Sequence, residues 1–303
     1  MKIGISITSA YQVDDVRAGA EQMIARAKAA NRAGLDSLFV GDHHVVPTPY
    51  YQNTPILGRL LAEWDQRPAG ALMLLPLWHP VLAAEQLATL ACISNGRFIL
   101  QCGLGHGERV FKAMGANSKH RPSAFEQSLA CLRDLWQGKT VSLDGRWQFE
   151  EARISPLPPE PIAIWIGASA PAAIDRAAKL GDAWLANPSM TIAEAGQAMS
   201  CYQEACARHS RELPSTIAIR RDIYVAESSS DARQVKELIT RKGYRGFDPE
   251  ALIIGEAQEV ADQFSAFEQL GYTDIIVRNL HTSADKAVQS TERLASVKAL
   301  IES

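Results

Sequence analysis

Short apolar runs alternate with longer amphipathic stretches along almost the whole chain, and this alternation constrains the fold more than any other feature. KIGISI (2–7), LDSLFVG (35–41), AGALMLL (69–75), RFILQC (97–102), IAIWIG (162–167), DAWLAN (182–187), TIAIRRDIYVA (216–226) and TDIIVRN (273–279) read as strands. Helical stretches follow at 14–34, from Pro80, at 123–137, from Pro171, at about 192–208 and at the C-terminal end. Strands joined by crossover helices pair in parallel. Parallel strands covered on both faces should be continuously apolar, as LMLL, IAIWI and DIIV are. Eight such units predict a (β/α)8 TIM barrel, one domain over 1–303, with its chemistry at the C-terminal ends of the strands. A dinucleotide-binding sheet would need GxGxxG directly after the first strand. That position reads SITSAYQ, and the glycine-rich turn GLGHG (103–107) follows the fourth strand instead.

Two segments interrupt the rhythm. Residues 140–154 alternate with period two around Asp144-Gly145, a hairpin signal. PLPPEP (156–161) then predicts an extended connector into the fifth strand. Both decorate the barrel without dividing it.

Composition narrows the partners. With 31 basic and 34 acidic residues the chain carries a formal charge of −3, so it has no basic excess for nucleic acid. The most apolar stretch, AGALMLLPL (69–77), falls well short of the ~20 residues a membrane span needs. No apolar leader follows Met1, and the five cysteines are scattered without a CxxC pair. The expectation is a cytoplasmic protein with reduced thiols.

Candidate chemistry sits where strands end. The second strand ends in Asp42-His43-His44, the third leads to His79, and the fourth to His106 and Glu108. Neighbours in extended chain point to opposite faces, so His43 and His44 cannot both serve one site without a bend. Barrel metal sites favour ligands at i and i+2 with matching carboxylates, and no metal is expected here. An imidazole titrates near neutrality and suits proton transfer. GLGHG lets backbone N–H groups approach a phosphate or a planar ring. IGASAP (166–171), entering a helix at Pro171, is either an anion site or a simple N-cap by Ser169. His79-Pro80 is explained by structure alone, and Trp184 is the tryptophan expected to line the pocket.

Taken in order, four segments resemble the bacterial luciferase-like superfamily of flavin- and deazaflavin-dependent oxidoreductases. They are AGLDSLFVGDHHVVP (33–47), ALMLLPLWHPVLAAEQLATLACISNGRFILQCGLG (71–105), RPSAFEQSLACLRDLWQGKTVSLDGRWQFE (121–150) and PIAIWIGASAPAAIDRAAKLGDAWL (161–185). The resemblance implies a (β/α)8 barrel with an inserted hairpin, and His43 as the catalytic imidazole. It implies a non-prolyl cis peptide near Ala71-Leu72 beside the flavin ring. Gly103, Leu104 and Gly105 would border the cofactor, and Gly167, Ala168 and Ser169 would hold its phosphate. The implied activity is a monooxygenase using reduced FMN from a separate flavin reductase, and O2, on a small organic substrate. The alternatives are hydride transfer with the deazaflavin coenzyme F420, and a flavin-binding protein without catalysis. The superfamily further implies a homodimer through helices near 82–93. The segment 227–255 reads as a short loop after the seventh strand, and no second arginine cluster along the chain suggests an anionic substrate.

Overall fold

The computed structural model describes residues 1–302. Its strands are β1 (Lys2–Ile7), β2 (Ser37–Val40), β3 (Ala69–Met73), β4 (Phe98–Cys102), β5 (Val141–Leu143), β6 (Phe149–Ala152), β7 (Ala163–Ala168), β8 (Ala183–Ala186), β9 (Ile217–Val225), β10 (Ile253–Gly255) and β11 (Asp274–Asn279). Its helices are α1 (Val16–Arg32), α2 (Asn53–Leu61), α3 (Pro80–Ile93), α4 (Glu108–Ala113), α5 (Arg121–Trp136), α6 (Pro171–Leu180), α7 (Ile192–Arg208), α8 (Ser229–Lys242), α9 (Ala257–Gln269), α10 (Ala284–Glu292) and α11 (Leu294–Glu302). The strand order is β10-β9-β11-β1-β2-β3-β4-β7-β8, and β8 pairs back onto β9. Eight strands thereby close the expected (β/α)8 barrel, with β10 as an extra edge on β9. No helix among the described residues is long and apolar enough to cross a membrane, and all five cysteines are free.

The chain comprises two compact units. The first holds residues 1–8, 21–39 and the described residues from 165 onward. In it β1, β11, β9 and β8 pair in parallel. Their residues are almost all buried, as a sheet covered on both faces requires. Trp184 is fully buried here. Its indole stacks on Tyr202 of α7 at 4.8 Å, and its Nε1 donates to the Ala168 carbonyl at 2.9 Å. The reading of Trp184 as a pocket residue is therefore corrected: its ring faces the helices. The segment 227–255 is also no loop, since it folds into α8 and β10. Ser228 caps α8 by accepting from Asp231 N. Val235 and Ile239 bury one stripe of that helix with Leu252 and Ile254.

The second unit holds residues 9–20 and 40–164. β3 and β4 pair in parallel without a break, from Ala69 opposite Phe98 to Met73 opposite Cys102. This regular ladder contradicts a cis bond at Ala71-Leu72; the one cis peptide among the described residues is Ser155-Pro156. The hairpin is present as β5 and β6, with Leu143 opposite Phe149. Its connection spans residues 144–148, longer than a two-residue Asp-Gly turn, and Gly145 does not take a positive φ. What seats it is aromatic: the His79 ring packs edge-on against Trp147 at 5.3 Å and lies 5.5 Å from Phe149. Arg146 donates to the His120 carbonyl at 3.2 Å.

Replacing Trp184 with Phe keeps a large ring but leaves the Ala168 carbonyl without its buried donor. Urea denaturation should register a loss of about 1–3 kcal/mol. Trp184→Ala should cost about 3–5 kcal/mol.

Candidate active site

The second unit builds its site around a carboxylate. Alternation along residues 42–44 buries Asp42 and His44 and leaves His43 half-exposed between them. The Asp42 side chain has no solvent exposure. Its Oδ2 accepts from Leu74 N at 2.7 Å and from Trp78 Nε1 at 2.8 Å. His44 Nε2 stands 3.0 Å from Oδ1, off the line a hydrogen bond needs, and its ring meets the Trp78 indole edge-on at 5.5 Å. Asp42 and His44 are thus scaffold, tying the end of β2 to the turn after β3.

His43 faces the other way. Its ring lies 6.0 Å from Tyr50 and 6.1 Å from His106. Gln52 Nε2 donates to its carbonyl at 3.3 Å. Tyr50 is held by a short antiparallel bridge to Ala10, which sits between the bonds Tyr11 N to Pro49 O and Tyr51 N to Ser9 O. Burial lowers the His43 pKa below its ordinary 6.5, and repulsion from His106 lowers it further. Asp42 pulls the other way and His44 adds to the lowering. At neutral pH the imidazole is therefore uncharged and able to accept a proton. Two residues later, Val45 adopts φ +55°, a left-handed conformation that a β-branched side chain strongly resists.

β3, β4 and the glycine turn share this unit. Ala71 is buried, Leu72 half-exposed. Gly103 N donates to Met73 O at 3.1 Å, which brings Gly103–Gly105 beside the end of β3. Gly105 has φ +71°, and a Cβ there would lie 3.4 Å from Phe111 and 3.5 Å from Leu74. The space would admit a Cβ in ordinary contact, so it is the angle that favours glycine. Gln101, two residues before this turn, is buried, and its Nε2 has no partner.

Gly167, Ala168 and Ser169 belong to the first unit, at the end of β7. Ala170, not Ser169, is the N-cap of α6, and no side chain caps that helix. Ser169 is exposed, and the Ala173 and Ile174 amides of the first turn donate to the Ala170 carbonyl. The structural alternative of capping by Ser169 is thereby corrected.

Several residues escaped the sequence reading. Tyr50, Trp78 and Asn53 lie on segments without strand or helix signals of their own. Asn53 is fully buried at the start of α2 and donates to the Leu72 carbonyl at 2.7 Å. In the first unit, contrary to expectation, Arg220, Arg245 and Arg278 do gather, around Asp222. Their separation along the chain hides the cluster; the charged triplet Arg220-Arg221-Asp222 inside an apolar strand was its one visible sign.

Residues 1–251 match the family model described as luciferase-like monooxygenase. The chain belongs to this family. It is a flavin-dependent oxidoreductase, and its relatives use the two cofactors the sequence points to. It is 25% identical to the oxygenase component of the flavin-dependent trigonelline monooxygenase of Acinetobacter baylyi, over 84% of this chain and 81% of that protein. It is 32% identical to the F420-dependent glucose-6-phosphate dehydrogenase of Beutenbergia cavernae, over 56% of this chain and 54% of the relative. Among solved structures, a monooxygenase from Streptomyces bottropensis superposes with a TM-score of 0.85 at 18% identity, each chain covered in full. The oxygenating constituent of the 3,6-diketocamphane monooxygenase of Pseudomonas putida, solved with FMN, gives 0.82 at 17% identity over 99% of this chain and 98% of that one.

Asp42→Ala leaves two buried donors, Leu74 N and Trp78 Nε1, without an acceptor. It should destabilise the chain by about 2–5 kcal/mol and speed hydrogen exchange at the Leu74 amide. Asp42→Asn retains an acceptor oxygen and should lose less.

Proposed function

We propose that this chain is the oxygenase of a two-component system. It would take reduced FMN from a separate flavin reductase and use O2 on a small organic substrate. The observation that carries the reading is His43, an uncharged imidazole on a rigid strand end, flanked by Tyr50 and His106. The trigonelline monooxygenase oxygenase supports it by matching most of both chains.

The residues present suit a flavin. The buried, unpartnered Gln101 amide is a donor in want of a carbonyl acceptor, which the ring's pyrimidine edge offers. Ala71, Leu72 and the turn Gly103, Leu104, Gly105 would border the ring. Gly167, Ala168 and Ser169, ahead of a helix with no side-chain cap, would take its phosphate. Bound and reduced, FMN supplies electrons to O2, and F420 would supply a hydride. The protein's part is positional and protonic. Asp42 fixes the strand end, and Tyr50 and His106 confine the His43 ring. His43 holds or accepts a proton at an imidazole nitrogen. A flavin store without catalysis has no use for an imidazole tuned in this way. The F420 reading draws support from the dehydrogenase relatives, although the chain spans little more than half of the one from Beutenbergia cavernae.

We also propose a homodimer through α3. Leu82 and Ile93 on that helix are 53% and 51% exposed, large apolar groups left facing water. Light scattering should find a dimer at micromolar concentration, and Leu82→Glu should shift it to monomer.

His43→Asn should lower turnover by about 10²–10⁴ while flavin affinity stays near wild type; His44→Asn should matter less. The reverse order of effects would place the register of the site wrong by one residue. Because the neutral imidazole is the active form, activity should fall on the acid side through a pKa below 6.5. His106→Asn removes a repulsive neighbour, so the His43 pKa rises and the acid limb of the pH–rate profile moves to higher pH.

A further inference from the structure

Tyr50 reaches His43 from a segment that is neither strand nor helix, and a bridge of one residue pair holds it there. The two bonds of that bridge, Tyr11 N to Pro49 O and Tyr51 N to Ser9 O, flank Ala10 and Tyr50 without joining them. Ala10 and Tyr50 are therefore a non-hydrogen-bonded antiparallel pair, the kind whose side chains stand closest and on one face. Alternation turns Ser9, Tyr11 and Tyr51 to the other face, where the rings of Tyr11 and Tyr51 meet edge-on at 6.0 Å. The far end of the Tyr50 ring is seated as well. A Cβ on Gly41 would stand 3.1 Å from Tyr50 Oη, closer than ordinary contact, so the missing side chain is what admits the hydroxyl.

Held at both ends, the phenol ring stands 6.0 Å from the His43 ring and is tilted 51° to it. It is not stacked on the imidazole, and it is only half-buried, as are Ala10 and His43. A small residue faces the large one, and the Ala10 methyl leaves open the space beside the ring that a larger side chain would fill. Ala10 and Tyr50 follow β1 and β2, whereas the residues proposed to border the flavin come from β3 and the turn after β4. The flavin reading leaves Ala10 and the open part of the Tyr50 ring without a role. The titratable groups that act on His43 are His106, Asp42 and His44. Asp42 is turned away onto Leu74 and Trp78, and His44 is buried against the same indole. Among the described residues, no lysine or arginine is one of them.

We propose that Ala10 and Tyr50 form the substrate wall of the site and select a planar, uncharged aromatic ring. Aromatic pairs pack offset or edge-to-face with centroids about 4.5–7 Å apart, and Tyr50 presents a fixed ring for such a pair. A saturated ring is thicker and lacks the polarised edge and face that this packing uses. An ionised substituent would lose water there without gaining an opposite charge. Tyr50 sets the preference for flatness, and Ala10 sets the room. Calling the ring a substrate rests on the flavin-dependent oxygenase reading; binding of the ring beside His43 does not.

The test is titration of the full chain, without flavin and again with FMN, followed by calorimetry and by the His43 Cε1–H resonance in a proton–carbon correlation spectrum. The probes are benzamide, its saturated counterpart cyclohexanecarboxamide, and benzoate. Benzamide should bind saturably and shift the His43 resonance. Cyclohexanecarboxamide should bind about three- to tenfold more weakly, and benzoate about tenfold more weakly or worse. Tyr50→Leu should bring benzamide down to the level of cyclohexanecarboxamide, while Tyr50→Phe, which keeps the ring, should hold the preference. Ala10→Leu should weaken both amides about tenfold or more, with flavin affinity unchanged. Absence of saturable benzamide binding in both states, equal binding of the two amides, or an intact preference in Tyr50→Leu would overturn the wall. Benzoate binding more tightly than benzamide would overturn the assignment of an uncharged ring. If the preference holds but reduced FMN and O2 give no turnover on any aromatic probe, the oxygenase reading fails and the wall stands. Thermal melting of each variant, with and without benzamide, distinguishes lost binding from lost folding.

Discussion

Asp42 Oδ2 receives two hydrogen bonds from a segment more than thirty residues away, the Leu74 amide and the Trp78 indole. A buried acceptor oxygen cut off from water needs donors from the protein, and each hydrogen bond it accepts contributes about 0.5–1.5 kcal/mol or more. Everything beside it in the second unit follows from where this carboxylate sits. It sets the phase of residues 42–44, so that His43 is the one presented outward. It also fixes Leu74, whose side chain packs under Gly103 and Gly105. Positioning of the imidazole and shaping of the glycine turn are thus two results of one buried carboxyl group.

Period and apolarity made the barrel legible. Strands such as Lys2–Ile7 and the helix Ile192–Arg208 lie at the expected positions because their signals are local: continuous burial in one case, a Thr191–Glu194 capping box in the other. The segments missed are those where polar residues serve tertiary contacts. α8 is rich in charge, and its buried stripe of Ala232, Val235 and Ile239 is narrow. The hairpin was legible from its alternation, but not its loop length, which depends on Trp147 and Phe149 meeting His79.

Legibility of the site follows the same division. His43 was named by the resemblance; by residue type alone it could not be told from His44, which the structure buries while leaving His43 half-exposed. Asp42 stood among the candidates without an assigned role, because its partners are a backbone amide and an indole, neither of which leaves a pattern at fixed spacing. The arginine cluster draws on residues spread from 220 to 278, and only the β9–β11 register brings Arg278 opposite Asp222. Long-range register is invisible to any local reading of charge.

Val45 adds a different kind of information. A valine at φ +55° is held there by its surroundings at a cost on the order of 1–3 kcal/mol, and a glycine would take the same angle freely. Relieving the strain is by itself a gain in thermal robustness. Yet the residue lies immediately after His43-His44, and a glycine would widen the range of backbone shapes open to that stretch. A laboratory selection for heat resistance alone should therefore find position 45 early, and a selection that also demands turnover should leave the valine in place.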